Sequence, residues 1–231
     1  AQAQTTWRGR TLSRAVEGRE EETYFPGGER YIPTRYTVVE ASDLYASNDP
    51  YSFAKRPEAV YPSEIQGRAY HGERGKQARA DVETLSAPAK YDLRRALDAN
   101  LHVTAGVPTI TPSGVVVAGN QRAMMVQRAL NDEGVRQKYQ ESLREKAIGL
   151  GLDAKAIDGF KNPVLVRVIT DSTFDLTDEA TLKKLNTWSD MPDIKAKDLL
   201  SEAATRAGQL RAAPRTMVHF MNTSQADQTL R

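Results

Sequence analysis

The sequence contains no cysteine and only three histidines, His71, His102 and His219. The absence of cysteine excludes disulfide bonds, thiolate zinc sites and cysteine nucleophiles, and it fits a reducing compartment. None of the histidines is paired with another at the short spacing of a metal-binding motif. The sequence therefore gives no reason to expect a metal site built on sulfur or imidazole.

The net charge is also small, and the sequence has no long apolar run. Lysine and arginine together number 32 against 30 for aspartate and glutamate, so the formal net charge is only +2. This balance gives no global argument for a nucleic-acid partner. No stretch approaches the roughly 18 consecutive apolar residues of a membrane-spanning helix, and the first residues lack the apolar core of a signal peptide. We therefore expect a soluble, intracellular protein with no membrane partner.

The composition predicts one folded domain with extensions. The chain has 231 residues, of which 39% are hydrophobic, which is enough for one sizeable core. Both strand and helix patterns occur along it. We expect four parts, in order an N-terminal arm outside the core (residues 1–35), the folded domain (36–175), a helical extension (176–211) and a tail (212–231).

Three stretches of β-branched and apolar residues predict strands, at residues 35–44, 106–119 and 162–170. The second stretch contains a Pro-Ser-Gly turn, so we expect two short strands within it. In the third, "NPVLVRVIT", only Arg167 interrupts the apolar run. Such a run is typical of a strand that is buried on both faces.

Helical periodicity is visible in four stretches, namely residues 77–97, 121–152, 176–188 and 195–213. Breaks are expected near Pro88 and near Gly134. Thr177 is the expected N-cap of the third helix. Between the first strand and the first helix, residues 45–79 contain several prolines and glycines, so we expect a long irregular loop there.

Arg122 occupies an unusual position at the start of the second helical stretch. On a helical wheel it falls within the apolar arc that includes Met125 and Ala129, and its charge lies at the positive end of the helix dipole. A negative group is expected to compensate it. That group is either an anionic ligand, for which a helix N-terminus and an arginine fork are well suited, or a buried carboxylate of the same domain.

Two residues immediately before Arg122 also have alternative roles. Asn120 suits a helix N-cap, and it suits contact with a ligand equally well. Gly119 fits a close backbone approach or a positive φ angle.

A basic loop with interleaved aromatic residues precedes the first helix. Such a loop suits contact with a nucleic-acid backbone or stacking on single-stranded bases, and it equally suits a solvated charged surface. Its candidate nucleic-acid residues are Arg68, Tyr70, Arg74, Lys76 and Arg79. A second basic patch near the N-terminus contacts either nucleic acid or a partner protein, and it consists of Trp7, Arg8, Arg10 and Arg14.

Three carboxylates near the first strand are candidates for Mg²⁺, namely Glu40, Asp43 and Asp49. They serve equally well as turn formers, and we favour that interpretation. No metal ligand is therefore assigned.

The order of these elements resembles the ParB/sulfiredoxin superfamily, and within it the DdrB-like ParB domains of phage and plasmid polyvalent proteins. The resemblance covers roughly residues 36–211. Its motifs are a Gln-x-Arg step at Gln66 and Arg68, a glycine-rich run ending in Gly-Asn-x-Arg, and the strand "PVLVR". The glycine-rich run contains Gly106, Pro108, Gly114, Gly119, Asn120 and Arg122.

The resemblance implies an α+β fold, in which helices wrap a small mixed sheet and a ligand cleft lies where the Gly-Asn-x-Arg helix begins. In ParB relatives this motif binds the phosphates of a nucleoside triphosphate, which implies a nucleotide with Mg²⁺ as the ligand. The implied ligand-binding residues are Gln66, Arg68, Gly119, Asn120, Gln121 and Arg122. Sulfiredoxin chemistry needs a cysteine at this place and is excluded. Gln121 departs from the small residue that is usual there, and Pro112-Ser113 replaces an acidic turn.

The leading functional hypothesis is a ParB-like domain that binds the phosphates of a nucleotide or of DNA, in phage or plasmid DNA processing or anti-defence. It leaves NTPase or nuclease activity open, with no catalytic residue assigned. One alternative is a non-catalytic interaction module in a larger assembly or virion, which contacts protein partners through the N-terminal arm or the C-terminal helices. A second is a metal-dependent nuclease. The expected location is the host cytoplasm or the virion.

Overall fold

The computed structural model describes residues 7–62, residue 65 and residues 70–189, except for the side chain of Arg74. Within these residues the chain forms five strands, β1 (Ala15–Phe25), β2 (Arg30–Glu40), β3 (Thr109–Ile110), β4 (Val116–Ala118) and β5 (Pro163–Ile169). The same part of the chain forms six α-helices, α1 (Gly72–Ser86), α2 (Leu93–Ala96), α3 (Asn120–Ala129), α4 (Glu133–Ala147), α5 (Ala154–Ile157) and α6 (Glu179–Ser189). The predicted α+β class is confirmed.

The strands form one mixed sheet in the order β1-β2-β5-β3-β4. β1 and β2 make an antiparallel hairpin, β2 pairs antiparallel with β5, and β3 runs parallel to β5 before the chain returns as β4. Consecutive residues of β5 are buried along nearly the whole strand. Because neighbouring residues of a strand point to opposite faces, both faces of β5 are covered, as its sequence predicts.

Residues 15–35, which the charge pattern predicted to form an arm outside the core, instead form β1 and the first half of β2. Phe25 and Ile32 in this hairpin are fully buried. The charges were misleading because β1 is an edge strand, and Glu17 on its exposed side pairs with Arg35 of β2. An edge strand of an antiparallel sheet can carry many charges while its other residues pack into the core.

The first helical stretch is divided as predicted, although its start is earlier. α1 ends at Ser86 and α2 begins at Leu93, so the chain does break around Pro88. However, α1 begins at Gly72 rather than near Gln77, and the irregular loop is correspondingly shorter.

The third helical stretch forms α6, with a different N-cap from the one predicted. The backbone N–H of Thr181 donates to Asp178 Oδ2 at 2.8 Å, so Asp178 rather than Thr177 caps this helix. The predicted helix at 195–213 and the tail at 212–231 lie outside the described residues. None of the described helices has the length and apolar character needed to cross a bilayer.

Several elements meet around the start of α3. α1 packs against α3, and the hydroxyl of Tyr139 on α4 accepts a hydrogen bond from the backbone of Leu165 in β5 at 3.1 Å. From the other side, the backbone of Tyr24 in β1 donates to Leu101 O at 2.8 Å and accepts from Val103 N at 3.0 Å. The segment between α2 and β3 is thereby fixed to the hairpin.

Candidate ligand-binding site

Gly119 alone joins β4 to α3, and its conformation requires glycine. Its φ is +83°, in the left-handed region that other residues rarely adopt. A Cβ at this position would also lie 2.7 Å from Arg122 Nη2. The absence of a side chain thus lets the Arg122 guanidinium lie directly over the backbone of the turn.

Asn120 is the first residue of α3 and not its N-cap, which is Gly119. Its side-chain oxygen accepts from Ser47 N at 2.7 Å, and its amide nitrogen donates to Tyr61 Oη at 3.3 Å and to Val116 O at 3.4 Å. The buried Asn120 side chain therefore ties the loop that follows β2 to the start of α3.

Replacing Asn120 with alanine is expected to lower the free energy of unfolding by about 2 kcal/mol, because Ser47 N would be left buried without an acceptor. Urea denaturation measures this change. Asn131→Ala is the matched control: Asn131 is exposed, and we expect a change within about 0.5 kcal/mol. Equal losses in the two variants would contradict the anchoring role.

Arg122 is half-buried, and its hydrogen bonds go to backbone carbonyls. Nη1 donates to Gly106 O at 2.6 Å and more weakly to Val107 O at 3.5 Å, and Nη2 donates to Val103 O at 2.8 Å. No carboxylate forms an ion pair with it in the part of the chain that the structure describes. The buried ion pair that the sequence allowed is therefore not formed there.

A second arginine holds the same piece of backbone, residues 103–107, which we call the carbonyl segment. Arg167 of β5 is 1% exposed, and its Nη2 donates to Ala105 O at 2.7 Å and to Val107 O at 3.2 Å. Burial, together with the nearby charges of Arg167 and Arg95, lowers the pKa of Arg122 to about 10. The two guanidinium groups thus concentrate positive charge beside the carbonyl segment.

A cavity of about 280 Å³, which we call the Arg122 cavity, opens between α1, α2 and the start of α3. Gln121 and Arg122 line it from the first turn of α3, and Gly106 and Pro108 line it from the carbonyl segment and the residue after it. The structure thus brings four residues of the glycine-rich run together on one cavity.

The charged residues of the Arg122 cavity come mainly from other parts of the chain. Lys90 and Arg95 line it together with the carboxylates of Asp81 and Asp92. Lys90, Arg95 and Asp92 are exposed, and Asp81 is half-buried. These charges surround the mouth of the cavity.

A family model for the ddrB-like ParB superfamily domain matches residues 27–170, which is more than half of the chain. The chain belongs to this superfamily. No curated protein and no solved structure matches it. In this ddrB-like ParB domain the matched range contains β2 to β5, α1 to α5 and every residue of the Arg122 cavity, whereas β1 and α6 lie outside it.

The structure describes four of the six predicted ligand-binding residues of this ddrB-like ParB domain. Gly119, Asn120, Gln121 and Arg122 lie together at the start of α3. Gln121, the residue that departs from the usual small one, is among the residues that line the cavity. Gln66 and Arg68 lie outside the described residues.

The basic loop differs from the expected stacking surface. Tyr70 is buried, and its ring stacks on Phe53 with the ring centroids 6.4 Å apart, so it is covered rather than open to bases. Arg79 donates to Tyr70 O at 2.6 Å and thus supports the backbone. Lys76 is exposed on α1, and the side chains of Arg68 and Arg74 lie outside the described part of the chain.

The three candidate Mg²⁺ carboxylates each bind backbone groups at separate places. Glu40 accepts from the backbone of residues 161–162, Asp43 accepts from Ser13, and Asp49 accepts from residues 51–52. Only Asp49 acts as a turn former, because Glu40 and Asp43 accept from residues that are distant in the chain. Across residues 7–62, 65 and 70–189, no group of three or more histidine, aspartate or glutamate side chains could hold a metal ion.

The second basic patch, near the N-terminus, packs on its own chain. Trp7 is 1% exposed, and its backbone N–H donates to Ala59 O at 3.0 Å. Arg10 Nη2 donates to Val60 O at 2.8 Å, while Arg8 and Arg14 each donate to a backbone carbonyl. The sequence does not distinguish this packing from contact with a partner, because an isolated tryptophan fits both.

The sequence motifs do not include Lys90 and Arg95, which line the cavity, and they do not reveal that Arg167 donates to the carbonyl segment. Lys90 and Arg95 lie around a short helix with no motif of its own, and only the fold brings them to Arg122. Arg167 did give a signal, because it is the one charge in the apolar run of β5.

Proposed function

We propose that this ddrB-like ParB domain binds a nucleoside triphosphate in the Arg122 cavity. The observation that carries the proposal is the half-buried Arg122 guanidinium, which has neutral carbonyls and no carboxylate as its described partners. Carbonyl oxygens satisfy N–H groups without neutralising the charge. A phosphate group would supply the missing negative charge.

The surrounding charges favour the same ligand. Lys90 and Arg95 line the cavity with Arg122. Burial and then the charges of Arg167 and Arg95 lower the pKa of Arg122, and a bound anion would oppose that shift. Mg²⁺ that accompanies nucleotide phosphates needs only one or two protein carboxylates, and Asp81 and Asp92 line the cavity.

The size of the cavity favours a single nucleotide over DNA. Its volume of about 280 Å³ is close to the lower end of ligand pockets, about 300 Å³, and it is too small to admit a duplex. The wider role in phage or plasmid DNA processing rests on the family resemblance alone.

Thermal melts with CTP, ATP and GTP, each with and without Mg²⁺, test this proposal. At a ligand concentration of 100 times Kd, binding adds about 2.7 kcal/mol, which raises the Tm by roughly 5–10 °C for a chain of this size. We expect Arg95→Ala to weaken nucleotide binding about tenfold, because one charged contact to phosphate is lost.

Arg94→Ala is the matched control, because the Arg94 side chain is 96% exposed on the same helix and does not line the cavity. It should bind nucleotide like the wild type. If none of the three nucleotides changed the Tm of the wild type, the result would contradict the proposal and favour the interaction-module hypothesis. An equal response of the two arginine variants would place the nucleotide elsewhere.

A further inference from the structure

A second concavity, of about 620 Å³, opens over one face of the sheet, and we call it the sheet groove. Glu20 of β1, Arg35 of β2 and Val168 of β5 are directly paired across the three strands, and all three line the groove. Directly paired residues share one face of a sheet, so the groove lies along that face. Among the described residues, none lines both this groove and the Arg122 cavity.

The apolar side chains of the sheet groove are only partly covered. They come from the segment before β1, from β5 and from the segment after β5, and they include Leu12, Val168, Phe174 and Leu176, all half-buried. Ala15, at the start of β1, is exposed. These residues offer accessible apolar surface to a partner, and covering it is favourable in proportion to the area removed from water.

The charges of the sheet groove are mainly negative. Of the described residues that line it, Glu17, Glu20 and Asp171 carry carboxylates, whereas Arg35 alone carries a positive charge. Arg35 donates to Glu17 through Nη1 and to Glu20 through Nη2. Each of these exposed carboxylates uses one oxygen for that bond, and a carboxylate has lone pairs for further donors. The surplus of negative charge disfavours a phosphate or a nucleic acid and favours a cationic partner.

Most of the sheet groove lies outside the part of the chain that matches the family. The match begins at residue 27 and ends at residue 170, whereas residues 12–20 and 171–176 supply more than half of the lining. The groove is therefore built mainly by elements that this chain adds to the matched domain.

We propose that the sheet groove docks a basic segment of a partner protein, in which lysine or arginine lies among apolar residues. The cationic side chains bind Glu17 and Glu20, and the apolar side chains cover Leu12 and Val168. A metal ion is a poorer occupant, because it would leave the apolar surface uncovered. The volume of the groove lies within the range of ligand pockets, about 300–1,000 Å³. This docking is independent of nucleotide binding in the Arg122 cavity.

Fluorescence anisotropy of the full chain with a labelled peptide tests the proposal. In the probe, pairs of leucine alternate with pairs of arginine, so that both kinds of side chain lie on each side of an extended peptide. We expect this leucine–arginine peptide to bind. A peptide with serine in place of leucine keeps the charge and should bind about tenfold more weakly, because the apolar contact is lost. A peptide with glutamate in place of arginine should not bind.

Two variants alter the groove in different ways. Ala15→Trp fills part of it at an exposed position and leaves the charge unchanged, whereas Glu20→Lys reverses the charge of one carboxylate. Each should weaken the leucine–arginine peptide about tenfold, the first by loss of space and the second by repulsion. Glu145→Lys is the matched control, because Glu145 is exposed on α4 and does not line the groove. It makes the same change in net charge and should bind the peptide like the wild type.

Failure of the leucine–arginine peptide to bind the wild type would overturn the proposal. Equal losses in Glu20→Lys and Glu145→Lys would do so too, because binding would then follow net charge rather than the groove. Labelled single-stranded DNA that binds the wild type but not Ala15→Trp would identify nucleic acid as the occupant instead. A wild-type dimer in sedimentation that Ala15→Trp converts to a monomer would identify a second copy of this chain.

Discussion

Arg122→Ala is expected to lower the free energy of unfolding by about 3 kcal/mol, even though Arg122 has no ion-pair partner among the described residues. Its guanidinium donates to three carbonyls of the carbonyl segment, and hydrogen bonds from a charged donor contribute about 1.5–3 kcal/mol each. Relief of the repulsion from Arg167 and Arg95 offsets part of that loss.

Urea denaturation of wild type, Arg122→Ala and Arg94→Ala measures the effect, with the exposed Arg94 as the control. Unchanged or increased stability of Arg122→Ala would show that the carbonyl segment is held without this side chain. The variant should also lose its Tm response to nucleotide. That loss alone has two explanations, a missing charge and a loosened cavity wall, which is why the binding test uses Arg95 instead.

Gly106→Ala is expected to destabilise the domain by about 3 kcal/mol or more, which lowers the Tm by roughly 10 °C. Gly106 has a φ of +68°, and a Cβ there would lie 2.2 Å from the backbone oxygen of Asp98. The left-handed conformation costs a non-glycine residue about 1–2 kcal/mol. The collision adds a similar amount, because the atom that must move belongs to the backbone.

Gly149→Ala is the control for this substitution, since a Cβ at Gly149 meets no atom within 4 Å. Thermal melts followed by circular dichroism compare the two variants. If Gly106→Ala had the same Tm as Gly149→Ala and the wild type, the carbonyl segment would have to be free to shift away from Asp98.

Local sequence patterns predict the central part of this fold well. The apolar run of β5 and the Gly119 turn into α3 depend on residues that are close together in the chain, so strand, turn and helix could all be predicted from them. The hairpin of β1 could not be predicted, because its charged residues occupy the exposed side of an edge strand and resemble a solvated arm.

The candidate site could likewise be predicted only in part from the sequence. The position of Arg122 at the start of a helix follows from spacing, and so does the expectation that a negative group compensates its charge. Its actual partners cannot be predicted from spacing, because the carbonyl segment precedes β3 in the chain and carries no charge that a sequence pattern would reveal. The contribution of Arg95 depends on how α2 packs, which is a tertiary property.

The hydrogen bonds between Tyr24 and residues 101–103 mean that the limits of the family match are not the limits of the folding unit. Tyr24 precedes the matched range, which begins at residue 27, yet its backbone is bonded to Val103, where the carbonyl segment begins. A protein trimmed to the matched range would keep every cavity residue and lose the strand that supports one wall. Shared ancestry is detected in one part of this chain, and the rigidity of its cavity depends on another.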